Sequence, residues 1–144
     1  MRRTITFIKL ITLALLLLSA CGAPPKPELV PGPALPNLNL SGGWNSPHFG
    51  FMELRQRGLT VNGKYEGIQT QEGHNGTFTG RIEGDLLWIE WRQPGLQSAA
   101  ILPKAGRAWL RIKERGARLE GKWGYDESRE DGGIWVAEKS LFHD

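Results

Sequence analysis

Cysteine is almost absent: Cys21 is the only one in a chain of 144 residues. One thiol cannot build a disulfide framework or a cysteine-rich metal site. Histidine is scarce as well, and His48, His74 and His143 fall in separate expected loops or the tail, without the paired spacing of a metal centre. The Gly-x-Ser-x-Gly turn, the phosphate-binding loop and the zinc-protease helix are all missing. Carboxylates are scattered along expected strands, with Glu53, Glu83, Glu90 and Glu120 pointing outward, which suits solubility and not an acid/base pair. The one acidic cluster, Asp126–Asp131, lacks the alternating ligand spacing of calcium loops. No catalytic residue, metal or diffusible cofactor is therefore expected, and an enzyme acting on envelope material is the weakest of three functional readings.

An excess of charge is missing too. The formal +3 arises from 18 basic and 15 acidic residues, and Arg2, Arg3 and Lys9 stand in the first nine positions. Taking those three from 18 leaves 15, so the remainder is formally neutral and nucleic acid is not expected as a partner. There is no apolar run of membrane-spanning length; the longest, Phe7 to Leu18, is too short and follows a basic start. That pattern marks residues 1–20 as a secretory signal helix and not an ordinary membrane span.

The signal ends in Leu18-Ser19-Ala20-Cys21. These four residues resemble the lipobox of bacterial lipoproteins. The resemblance implies cleavage before Cys21, a thioether to diacylglycerol there, and two or three palmitate-type acyl chains, which is enough for stable anchoring. Gly22 in place of an aspartate implies the outer membrane by the sorting pattern of many Gram-negative lipoproteins. The expected location is thus the cell envelope, held by a covalent lipid on Cys21.

Residues 21–39 carry Pro24, Pro25, Pro27, Pro31, Pro33 and Pro36. Proline at this density removes ladder donors and favours an extended chain, so the stretch is expected to be a tether. From residue 40 to 140 the pattern is alternation punctuated by glycine, with about a hundred residues, enough for one core. A short unit recurs: Leu40-Ser-Gly42-Gly-Trp44, Val61-Asn-Gly63-Lys-Tyr65 and Leu119-Glu-Gly121-Lys-Trp123. Residues two apart share a face, so glycine and aromatic point inward together, and glycine lets a large ring or a bent neighbour approach. Turn signals at Gln56-Arg57-Gly58, Glu83-Gly84-Asp85 and Glu114-Arg115-Gly116 join antiparallel neighbours. Strands are expected near 40–45, 49–56, 59–66, 76–83, 86–92, 98–102, 107–113, 118–125 and 133–139, with 98–102 the one most open to being loop. About eight strands in meander order predict an all-β, antiparallel up-and-down barrel, followed by a short tail at 141–144.

Leu40–Trp44, Phe49-Gly-Phe-Met52 and Gly63–Tyr65 resemble the opening strands of lipocalin- and avidin-like barrels. Leu119–Gly124 with Gly133-Ile-Trp135 is similar to the closing strands of small β-meander domains in secreted bacterial proteins. The resemblance implies architecture. Tyr65 would match a biotin-ligating tyrosine, but Gly67 and the strand Ile134–Glu138 depart from that pattern.

Two groups of residues are candidates for binding. Trp44, Tyr65, Trp91, Trp123 and Tyr125 are all expected to face inward, as plain core or as a ring-lined cup for a small apolar or sugar-like ligand. Arg107, Trp109, Arg111 and Lys113 share the outer face of one strand, and Trp88, with Leu86, that of its neighbour. Seven basic residues between 104 and 122 stand against Glu114 and Glu120, a local excess that suits an envelope protein, an anionic lipid or lipopolysaccharide. The expected function is a non-catalytic binding or assembly module; a lipocalin-like carrier of a small apolar ligand is the alternative.

Overall fold

A computed structural model describes residues 22–67 and 74–141. The expected signal, the lipobox with Cys21, and residues 142–144 lie outside them. The described chain forms eight strands: β1 (Gly42–Ser46), β2 (Gly50–Arg57), β3 (Thr60–Tyr65), β4 (Gly76–Glu83), β5 (Leu86–Gln93), β6 (Lys104–Lys113), β7 (Arg118–Tyr125) and β8 (Gly133–Lys139). Each pairs antiparallel with the next, and β8 returns to β1 through Trp44 opposite Lys139 and Asn45 opposite Glu138. The sheet is thus a closed up-and-down barrel, which leaves no free edge to recruit another chain. The expected strand at 98–102 is instead a single turn, Gln97–Ala99, pinched by a bridge between Leu96 and Ile101.

The period-two pattern carries the fold. In β4, Gly76, Phe78, Gly80 and Ile82 are buried while Thr77, Thr79, Arg81 and Glu83 are exposed. Trp44, Met52, Leu54, Leu110, Leu119 and Trp135 are completely or almost completely buried along the axis, so side chains fill the interior as an eight-strand circumference allows. Inward glycines, Gly63 of the recurring unit and Gly76 of β4, lie under aromatic rings. A Cβ on Gly63 would run into the Phe78 ring, and one on Gly76 into the Tyr65 phenol.

The two ends differ. At one, tight turns around Gly58, Gly84 and Arg115 join the strands, and Leu35 and Leu38 pack beneath the core beside buried Leu40. Gln56 holds this plug: its side chain accepts from the Leu40 N–H at 2.7 Å and donates to the Leu38 carbonyl at 3.1 Å. The longer connections β3–β4, β5–β6 and β7–β8 gather at the other end, the mouth.

The proline-rich segment does not hang free. Gly32 N–H donates to Asp85 Oδ1 at 2.6 Å, Arg111 grips the same carboxylate, and Arg111 also donates to the Val30 carbonyl at 3.3 Å. Farther up the wall, Lys26 is ion-paired to Glu130, and Pro27–Leu29 lie in a groove with Trp88 and Trp109. Gly84 permits the clasp in two ways: it adopts φ +57°, and a Cβ there would overlap the Gly32 carbonyl. The segment is a strap along the barrel wall. Leu86, outward by parity, is consequently fully buried, on the face where Val30–Gly32 are held.

Candidate functional site

The inward aromatics form one connected column. Trp44 is buried and donates its indole N–H to the Leu40 carbonyl at 2.9 Å. Tyr65 is buried, and burial pushes its phenol above the usual tyrosine range. Trp91 is buried and bonded to the Gly124 carbonyl at 3.1 Å. Trp123 is half-buried, edge-on to Trp91 at 5.7 Å. Tyr125 faces inward without being buried. It is on the inward side of β7 but at its last residue, so its ring stands on the rim, 39% exposed, 5.0 Å from Trp123.

Two members of this column were missed as site candidates. Trp135 lies at the centre, and Phe49 joins it at 4.2 Å to Trp123 at 5.6 Å. The alternation of Trp135 with Ala137 in the last strand was the available signal for the first. Phe49 begins the expected strand 49–56, where alternation would set it opposite Met52 and Leu54; the strand starts at Gly50, so Phe49 lies just before it and that parity does not apply. Trp135 Nε1 is buried without a hydrogen-bond partner, facing aromatic rings.

At the mouth-side ends of β3 to β6 opens a cleft of about 840 Å³, which reaches the column at Tyr65 and is bordered by Glu66, Arg92, Lys104, Ala105 and Asp126 among others. Its lining mixes Tyr65, Pro94, Pro103 and Ala105 with charged side chains, which can place polar contacts around a partly apolar ligand. Lys104 also lies 5.8 Å from the Tyr125 ring centre.

The outer group is brought together, but not as a free basic surface. Trp88 and Trp109 are directly opposed across β5 and β6. Their indole N–H groups donate to Glu83 at 3.1 Å and to Glu130 at 3.3 Å, and Arg129 stacks over Trp88 at 5.2 Å. Arg107 pairs with Glu127 at 2.5 Å, Arg111 with Asp85 at 2.6 Å, and Lys113 with Glu120. Arg118 pairs with Glu120 and Glu138. The local excess read from residues 104–122 is thus offset by acids from other strands and loops, which a window along the sequence does not see. The strap and the β7–β8 loop cover the tryptophan pair.

Three acids of the β7–β8 loop are likewise engaged within the protein: Glu127 with Arg107, Glu130 with Lys26 and Trp109, and Asp131 accepting from the Tyr125 N–H at 2.9 Å. Among the described residues, no three His, Cys, Asp or Glu side chains converge on a possible metal position.

Asp85 is the electrostatic hinge of the strap. Burial acts to raise its pKa, but the Gly32 N–H and the Arg111 guanidinium outweigh it and hold the carboxyl below the usual range. A folded-state pKa below the unfolded one stabilises the docked strap at neutral pH, and that contribution is lost as pH falls through the folded value. The Gly32 amide proton, followed by NMR, should therefore titrate below the ordinary aspartate value of about 3.9. A midpoint above that value would mean the clasp does not form. Asp85→Ala should weaken strap docking by about 1.5–3 kcal/mol, as for hydrogen bonds to a charged group.

The closed barrel, its strapped wall and its aromatic mouth define the class of protein as a small eight-stranded up-and-down β-barrel. Compared with protein-family models, curated proteins and solved structures, the chain matches none.

Proposed function

We propose that this protein is a lipid-anchored envelope lipoprotein, held in the outer membrane through Cys21, whose barrel is a non-catalytic binding module acting through its mouth. The observation that carries the binding role is the cleft of about 840 Å³ at the mouth-side ends of β3 to β6, beside a core already filled with side chains. A filled axis favours binding at the barrel's end over carriage of an apolar ligand within it, the alternative reading. The anchoring role rests on the lipobox residues and the basic, apolar signal before them.

A photo-reactive diazirine residue at Ala105, which borders the cleft and is exposed, tests the binding role in intact cells. Light should yield a discrete adduct from Ala105 and none from the same probe at Leu59, 60% exposed at the opposite end. Equal labelling at both positions, or none at Ala105, would remove the mouth as the binding site.

A further inference from the structure

The strap fixes where the anchor leaves the barrel. Gly32 is clasped at Asp85 in the β4–β5 turn, at the plugged end. Running back toward the N-terminus, the chain climbs the wall to Lys26, paired with Glu130, which also bonds Trp109 partway up β6. Lys26 follows Cys21 by only five steps along the chain, a reach of roughly 18 Å at full extension. Pro24, Pro25 and Pro27 hold φ near −65° and resist reversal, so the climb continues in the same direction. From Trp109 the wall itself has five more residues of β6 before the mouth end, at Lys104. A chain that keeps to this course would bring the proposed anchor out beside the mouth.

The same end carries exposed apolar side chains. Phe51 and Ile134 stand near the mouth-side ends of β2 and β8, Leu102 lies in the β5–β6 connection, and Tyr125 is on the rim. Their exposures run from 39% for Tyr125 to 74% for Leu102. Leu59 and Leu141 are exposed at the plugged end as well, so it is the course of the strap that selects the mouth; there, rings such as that of Tyr125 suit the headgroup boundary of a bilayer. We infer that the mouth faces the membrane, that the strap imposes this orientation, and that the surface docked there is the phospholipid bilayer carrying the anchor. This rests on the lipoprotein reading, and it turns the expected long spacer into a short clamp that presents the mouth cleft to lipid.

The test uses the full lipidated chain in phosphatidylcholine vesicles containing lipid spin-labelled near the headgroup. A fluorophore is placed on Leu102→Cys in one sample and on Leu59→Cys in another, both exposed positions. Quenching should be several-fold stronger at 102 than at 59. In Asp85→Asn, with the clasp weakened, the contrast should shrink. Equal quenching, stronger quenching at 59, or a contrast untouched by Asp85→Asn would overturn the inference while leaving the anchor in place. The intact mass of the same samples reports the lipid on Cys21 independently. A chain without that mass fails the anchor, and this inference falls with it.

Discussion

Trp135→Ala is expected to lower the unfolding free energy by about 3–5 kcal/mol, the range for removing a large buried aromatic. Its ring is completely buried and touches the aromatic column on several sides, at 4.2 Å from Phe49 and 5.7 Å from Phe78. No neighbour on a rigid closed wall can collapse far enough to refill the space. Trp135→Phe separates packing from polarity. The indole N–H has no partner, so deleting it removes a buried unsatisfied donor and recovers part of what the smaller ring loses. Urea denaturation should thus place Trp135→Phe close to wild type and Trp135→Ala far below. Two similar midpoints would mean that the centre of the barrel is loosely packed.

Gly121→Ala is expected to destabilise by about 3 kcal/mol, at the upper end for overpacking, although it adds one methyl group. The new Cβ would meet the backbone carbonyl of Trp109 on β6, where no rotamer change can relieve the clash. The β6–β7 ladder must shift to admit it, and Leu110 and Leu119 on either side are completely buried. Gly43→Ala is the comparison. Its Cβ would meet the Phe51 ring at 3.0 Å, and that ring is 42% exposed and free to swing away. Thermal melts should show a large loss for Gly121→Ala and little for Gly43→Ala. Equal losses would point to intrinsic strand preference and not to the close approach of β6.

Why the wall was legible and the strap was not comes down to distance along the chain. Alternation acts between residues two apart, so Phe78, Gly80 and Ile82 could be assigned a face from their own neighbourhood. Glycine paired with an aromatic told of a close approach without naming the partner, and the Phe78 ring over Gly63 supplied it. Tyr125 shows the limit of parity, since being on the inward side does not bury a residue at the end of its strand. The strap depends on Asp85 and Arg111, 53 and 81 residues beyond the groups they hold, and no local pattern announces such a bond. Proline content suggested an extended chain; it carried no information about what that chain would lie against. The ion pairs of the basic surface were hidden for the same reason. Arg107 and Arg111 find Glu127 and Asp85 only after the sheet and its loops are in place.

The strap also sets an order of events. Its residues leave the ribosome before any strand, yet Asp85 and Arg111 follow much later, and Glu130 is 104 residues beyond Lys26. Until β4 to β6 and the β7–β8 loop have taken shape, the strap has nothing to grip, and contacts of such long sequence separation form slowly. The segment next to Cys21 is therefore loose while the chain emerges and is drawn in only when the barrel is nearly whole. The acylation proposed for Cys21 would have its widest access in that interval, and the closing of the strap records that folding has finished.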